Sequence, residues 1–195
     1  MSNVQLSAES CLQLASVYDL LSTFWSKELS ISQLQKLCEP ELRNAVEKLG
    51  GVVPDKATDD VVEALAVEYC RLFIGPKNHL PPVESVWAGG QFQTSTVASV
   101  QRFYEMLSGF RPRVNIADHL GAQLEFMGQL FQQAGMQENS DAYTDVAQQF
   151  FNKHLTWTEP FLDRVIESAE LDFYRGLANV TKLFLNENFV NEEES

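Results

Sequence analysis

The sequence predicts an all-α protein, and three observations carry that reading. Apolar residues recur at helical spacing along nearly the whole chain, whereas the alternation of a half-buried strand is scarce. Glycine and proline concentrate in residues 75–93, and Pro40, Gly50, Gly51, Gly109 and Gly135 punctuate the apolar stripes elsewhere. A chain of 195 residues that is 45% hydrophobic and 11% aromatic can also bury a core without a disulfide or a metal. The expectation is one all-helical domain spanning 1–195, with eight or nine helices and an acidic tail, about 187–195, that frays.

The elements follow in order. A first helix starts near Ser7 and carries Cys11, Leu14, Tyr18, Leu21 and Trp25 on one stripe. "SISQ" has capping-box spacing, with Ser30 opening a second helix and Gln33 reaching back. "PELRNAVEKLGG" makes a short third helix closed by Gly50 and Gly51. Thr58 is placed to cap a fourth, whose first turn holds Asp59 and Asp60 and whose stripe runs from Val61 to Phe73, before Gly75 and Pro76 end it. Residues 75–93 hold three prolines, three glycines and no stripe, so they read as the longest irregular connection in the chain. Leu80, Val83, Val86, Trp87 and Phe92 give that connection side chains able to hold it in place. Helices resume over about 95–108, about 118–134 before Gly135, from Ser140 to Leu155, from Thr158 and Pro160, and finally through Phe173, Leu177, Val180 and Phe184.

The composition excludes several classes. With 14 basic and 27 acidic residues the net charge is −13, which disfavours nucleic acid and anionic membranes and suits a cationic partner. No run approaches the roughly 18 apolar residues of a membrane span, and the N-terminus "MSNVQLSAES" lacks the pattern of a secretory signal. Cys11, Cys38 and Cys70 fit neither a disulfide framework nor a zinc motif, and are expected as reduced, mostly buried thiols. His79 and His154 have no partners at metal-ligand spacing, and no nucleophile elbow, phosphate loop, dinucleotide fingerprint or HExxH is present.

One stretch stands out: "NIADHLGAQLEFMGQL", residues 115–130, sets Asp118 and His119 before an apolar stripe. On a helical wheel Leu120, Leu124, Met127 and Phe131 form the buried arc. Asp118, Glu125 and Gln129 lie opposite, and His119 shares a flank with Gln123, Phe126 and Leu130. Asp118 is either a helix cap, accepting from the Gly121 backbone N–H, or a functional carboxylate. A histidine with the reference pKa of about 6.5 in a binding rim makes binding pH-sensitive. Catalysis by an Asp-His pair needs a nucleophile and charge-stabilising donors that no motif supplies. A peptide-binding surface suits the residues better, with Asp118, Glu84 and Glu125 as acceptors for arginines.

"EYCRLFIGP", then "LPPVESVW", then "DHLGAQLEFMGQL", then "HLTWTEPFLDRVIESAELDFYRGLANVTKLF", taken together over about residues 65–185, resemble the TorD/DmsD family of molybdoenzyme maturation chaperones. The resemblance implies an all-helical, non-enzymatic cytoplasmic protein with no cofactor and no metal of its own. It implies a partner: the twin-arginine signal peptide, and the body, of a molybdopterin-containing reductase of the dimethyl sulfoxide or trimethylamine N-oxide type. Members hold the apoenzyme until its cofactor is inserted, before export by the twin-arginine route, and bind neither nucleic acid nor the membrane interior. A monomer or a homodimer is compatible with it. Carried residue by residue, the peptide-binding site is Asp118, His119, Pro81, Pro82, Glu84, Ser85, Trp87 and Glu125, with no catalytic residue. Val83 stands where the family often has an aromatic residue, and Ala117 where it often has proline. The alternatives are a helical adaptor for another partner and a small-molecule enzyme using Asp118 and His119.

Overall fold

The computed structural model describes residues 6–89, 94–137 and 140–189. Among these residues the chain forms ten α-helices and no strand. They are α1 (Ala8–Ser26), α2 (Ile31–Leu37), α3 (Pro40–Lys48), α4 (Asp59–Tyr69), α5 (Glu84–Gly89), α6 (Thr94–Met106), α7 (Leu120–Met136), α8 (Ser140–His154), α9 (Thr158–Ser168) and α10 (Asp172–Phe189). The all-α class holds, and the expected elements form close to where the periodicity puts them. The tenth helix is α5, which lies inside the stretch read as irregular; Phe92 of that stretch and the tail from residue 190 lie outside the described residues.

Local chemistry explains several boundaries. Ser30 caps α2 through a full capping box: its hydroxyl accepts from the Gln33 N–H while the Gln33 side chain accepts from the Ser30 N–H at 2.9 Å. Gly50, after α3, takes φ +82°, a conformation that disfavours any residue with a Cβ. Thr58 precedes α4 with extended backbone but makes no side-chain cap bond, so the two first-turn aspartates carry that end instead. After Tyr69 the helix widens into a single π turn, Cys70–Ile74, where the Gly75 N–H reaches back five residues to the Cys70 carbonyl. Continuous apolar spacing through Phe73 concealed that turn. The α7 helix runs through Gly135 to Met136 rather than stopping before it.

The helices gather into two compact units, each built from two separated stretches of chain. The first comprises residues 1–26 and 82–157, hence α1 and α5 to α8; the second comprises 27–81 and 158–195, hence α2 to α4, α9 and α10.

Within the first unit α7 is the central element, against which α1 and α8 pack. Leu120, Leu124, Met127 and Phe131 are buried as expected, but so are Gln123, Phe126 and Leu130 on the flank. The wheel predicted a single buried face; packing on two sides closes the flank as well. Glycines at seven-residue spacing let α1 come close. A Cβ at Gly121 would lie 3.0 Å from Ser26 Cα, one at Gly128 3.3 Å from the Ala15 carbonyl oxygen, and one at Gly135 2.9 Å from the Ala8 carbonyl oxygen. These contacts run from the end of α1 to its beginning as α7 proceeds, so the two helices are antiparallel. Tyr18 stacks on Phe131 with ring centroids 5.6 Å apart. Beyond them Tyr104, Phe110, Phe126 and Phe150 interlock edge to face and tilted, with Phe126 and Phe150 at 4.8 Å.

The second unit has its own aromatic core of Tyr69, Phe73, Phe161, Phe173 and Tyr174. Glu68, buried, is gripped by Arg71 at 2.7 and 2.8 Å and accepts from the Glu170 N–H at 2.7 Å, which ties the π turn to the α9–α10 connection. Of the three cysteines only Cys11 is buried. Cys38 is half-buried and Cys70 is exposed, its thiol donating to Glu28 at 3.1 Å, which corrects the expectation of mostly buried thiols. No helix among the described residues is long and apolar enough to cross a membrane.

Candidate functional site

Residues 82–87 and the entrance of α7 meet in the first unit through a short antiparallel bridge. Val83 pairs with His119, the Leu120 N–H donates to the Pro82 carbonyl at 2.8 Å, and the Glu84 N–H donates to the Asp118 carbonyl at 2.9 Å. Two segments that the sequence singled out separately are thereby joined backbone to backbone. Val83 is 3% exposed at the middle of the bridge.

Asp118 does not cap its own helix. The cap of α7 is His119, whose Nδ1 accepts from the Gly121 N–H at 3.0 Å. Asp118 instead caps α5, across the bridge: its Oδ2 accepts from the Ser85 N–H at 3.1 Å. Asp118 and Ser85 are fully buried. Oδ1 of Asp118 and Oγ of Ser85 have no hydrogen-bond partner among the described residues. Tyr104 closes the site from α6, donating its hydroxyl to the Ala117 carbonyl at 2.7 Å. Burial first, and then the carboxylates of Asp118, Glu125 and Glu84, hold the Tyr104 hydroxyl well above the ordinary tyrosine range, so it stays a donor.

The burial of His119 changes its expected role. Desolvation pushes its pKa down to about 4, against the smaller opposing pull of Asp118. The imidazole is therefore neutral near pH 7, with Nδ1 free of hydrogen to accept the cap bond and Nε2 carrying the proton. A histidine in this state does not titrate near 6.5, which removes the expected pH sensitivity of binding there.

Glu84, from the first turn of α5, enters a second buried network. His154, the last residue of α8, sets Nδ1 at 2.9 and 3.0 Å from the two Glu84 oxygens, and the Gln123 side-chain amide donates to Glu84 Oε2 at 2.6 Å. Trp157 donates to both Gln123 Oε1, at 3.1 Å, and the His154 carbonyl, at 2.9 Å. Glu84 is 5% exposed, His154 2% and Gln123 0%. His154, Gln123 and Trp157 were missed from sequence. One signal was present: His154 lies four residues after Phe150, on the apolar stripe of α8, where a polar side chain requires a buried partner.

Ser99 Oγ lies 3.1 Å from His154 Nε2, completing a Ser–His–Glu order of hydrogen bonds. That order alone does not make a nucleophilic site. Ser99 is in the interior of α6, where backbone N–H groups are spent on helix bonds, so none converges to stabilise an oxyanion. Phe103 and Phe150 also box the imidazole, with centroids at 5.5 and 5.3 Å.

The remaining expected residues lie differently. Trp87 is half-buried on α5. Pro81 is the last residue of this stretch to belong to the second unit, and is half-buried there. Glu125 is on α7 beyond the network, its side chain 12% exposed and paired with Arg113 at 3.0 Å. The structure thus brings Asp118, His119, Glu84, Ser85 and Pro82 together as an interior junction. Their burial corrects the expectation that the Asp118 and Glu84 carboxylates stand open at a rim, because both already accept internal hydrogen bonds. No group of three or more His, Cys, Asp or Glu among the described residues is arranged to hold a metal ion.

The family described as nitrate reductase delta subunit matches residues 35–163. The chain is 26% identical to the chaperone protein TorD of Shewanella oneidensis, over 96% of this chain and 92% of that protein. It is 27% identical to the TorD chaperones of Aliivibrio fischeri, over 89% of this chain and 91% of the relative, and of Vibrio cholerae, over 89% of each.

Proposed function

Because the chain belongs to the nitrate reductase delta subunit family, that of the TorD-type chaperones, we propose that it is a molybdoenzyme maturation chaperone that binds the twin-arginine signal peptide of its client. It holds the apoenzyme until the molybdopterin cofactor is inserted, and so delays export. The observation that carries this reading is a family match over 35–163 together with TorD relatives aligned along almost the whole chain. The role is that of a binder rather than a catalyst. Physical chemistry supports it: a chain of net charge −13 attracts a leader that opens with two guanidinium groups.

In this reading the buried residues Asp118, His119, Glu84, Ser85 and Pro82 shape the site from beneath, while the half-buried Trp87 and Glu125 supply the nearer surface. The client is an oxidoreductase of the dimethyl sulfoxide or trimethylamine N-oxide reductase type.

Titration calorimetry of the purified chain against a synthetic leader tests the proposal. Affinity should fall at least tenfold when Arg-Arg is replaced by Ala-Ala. It should also weaken between low and high salt while keeping an apolar component. Equal affinity for the Ala-Ala peptide would replace the proposal with a helical adaptor that reads some other feature of its partner.

A further inference from the structure

Asp118, His119, Glu84 and Ser85 are interior, so the guanidinium-accepting surface must be sought around Glu125, the least buried of the three motif carboxylates. It lies on the seam between α1 and α7. There Arg113, from the α6–α7 connection, extends its side chain into a cradle of four side chains. Its Nη2 donates to Asp19 Oδ1 at 2.7 Å and to Ser22 Oγ at 3.1 Å, its Nη1 to Thr23 Oγ1 at 3.2 Å, and its Nε lies 3.0 Å from Glu125 Oε1. Glu125 also accepts the Arg113 backbone N–H, at 2.8 Å. The cradle therefore sets two carboxylates and two hydroxyls around one guanidinium, the donor-acceptor match that arginine recognition needs.

A groove of about 360 Å³ begins at the same two carboxylates. Its walls include Asp19 and Glu125, then Ala15 and Gly128, then Leu12 and Gln132. At Gly128 α7 packs directly on the α1 backbone, a Cβ there lying 3.3 Å from the Ala15 carbonyl oxygen, and Leu12 is 42% exposed at the far end. From Asp19 to Leu12 is seven residues of helix, roughly 10 Å, or about three residues of an extended chain. The groove is thus acidic at one end and partly apolar at the other, and an arginine followed by apolar residues matches it in order and in length.

We infer that Asp19, Thr23 and Glu125 form an arginine-binding cradle which Arg113 fills in cis, and that an arginine of the leader displaces Arg113 to lay the following residues along the α1–α7 groove. This rests on the reading of the chain as a leader-binding chaperone, and it gives that reading a location. Arg113 is placed to yield. Its side chain is 46% exposed and that of Asp19 66%, so the pair is solvent-screened and loosely held. With two carboxylates for one guanidinium, the cradle remains attractive to a second cation. Arg113 is an internal competitor that raises the threshold for binding.

The experiment uses the full chain and two probes. Argininamide is titrated into isotopically labelled wild type and Arg113→Ala, following the amide signals of Asp19, Thr23 and Glu125. The variant should show saturable shifts at concentrations at least fivefold lower than wild type, and lysinamide should reproduce them poorly. In parallel, the leader peptide should bind Arg113→Ala at least threefold tighter than wild type, and Asp19→Asn in that background should take the gain back. Arg113→Gln serves if the alanine variant does not fold. Argininamide that binds no better to either Arg113 variant than to wild type overturns the inference. So does a leader that binds wild type in an Arg-Arg-dependent way but gains nothing from the substitution. A cradle that takes argininamide while the leader fails to bind any form keeps the site and removes the chaperone reading instead.

Discussion

Glu84, His154, Gln123 and Trp157 form a linked unit, and the strongest consequence concerns what happens when one member is removed. In His154→Leu the Glu84 carboxylate, 5% exposed, loses the donor at 2.9 and 3.0 Å and keeps only the Gln123 amide at 2.6 Å. A buried acceptor that loses a hydrogen-bond partner costs about 1–3 kcal/mol, and a carboxylate falls at the upper end, about 3 kcal/mol, even with the Gln123 bond retained. Glu84→Leu leaves the His154 Nδ1–H and the Gln123 amide without their acceptor, at about 1–3 kcal/mol for each orphaned donor, so again about 3 kcal/mol. If the residues were independent, the double variant would lose about 6 kcal/mol. Removing both partners instead eliminates the stranded carboxylate and the stranded imidazole and leaves only the Gln123 amide unpaired, so about 3–4 kcal/mol is expected, a coupling of at least about 2 kcal/mol. Urea unfolding read by tryptophan fluorescence, to which Trp157 contributes from inside the network, measures all three variants against wild type. A double variant whose loss equals the sum of the singles to within about 0.5 kcal/mol would refute the linked unit.

His119 makes stability depend on acid. Its folded pKa of about 4 lies below the 6.5 of the unfolded chain, so only the unfolded chain takes up the proton in that window. The contribution is present above pH 6.5 and is lost as pH falls toward 4, to an extent of about 3 kcal/mol from a shift of that size. His119→Asn keeps a cap acceptor without titrating there, so its stability should decline by that much less than wild type between pH 7 and pH 4; parallel profiles would count against burial of a neutral imidazole. Along the α1–α7 seam, Gly121→Ala puts a Cβ 2.3 Å from Ser26 Oγ and 3.0 Å from Ser26 Cα, whereas Gly128→Ala meets nothing nearer than 3.3 Å. Thermal melts should rank Gly121→Ala as the more damaging, by about 1–3 kcal/mol, and the reverse order would contradict the close approach.

What was legible in the sequence was what local spacing encodes. The stripe of α1, the capping box of Ser30 and the core arc Leu120–Phe131 depend on residues within a turn or two of each other, so periodicity and cap chemistry reveal them. The α5 helix is six residues long, too short for a stripe, and its first turn is fixed by Asp118, 33 residues away. Spacing alone offered Asp118 as the cap of α7; the bridge between Val83 and His119 turns Asp118 toward the other helix and leaves the cap to His119. Glu84 and His154 are 70 residues apart, and nothing local distinguishes a buried glutamate from a solvated one. The family resemblance pointed to two segments that the bridge joins, but not to the burial of most of their polar residues. Arg113 carried no motif at all, and only its four partners on α1 and α7 reveal it.

Each unit is assembled from two stretches separated by more than fifty residues of the other, and that has a consequence for the order of folding during synthesis. Ser22 on α1 donates to the Gly121 carbonyl at 2.8 Å, across 99 positions of chain. At translation rates of about 5–20 residues per second, α1 waits about 5–20 s for its partner helix to be made. Throughout that interval the apolar side chains of Tyr18, Leu21 and Trp25, all but fully covered in the finished protein, lack the α7 surface on which α1 packs. The second unit closes later still, since α9 and α10 are the last helices made. A ribosome-bound chain truncated after Trp157 therefore has the residues to complete the first unit and not the second, and limited proteolysis of nascent chains stalled before and after that point would follow the two closures separately.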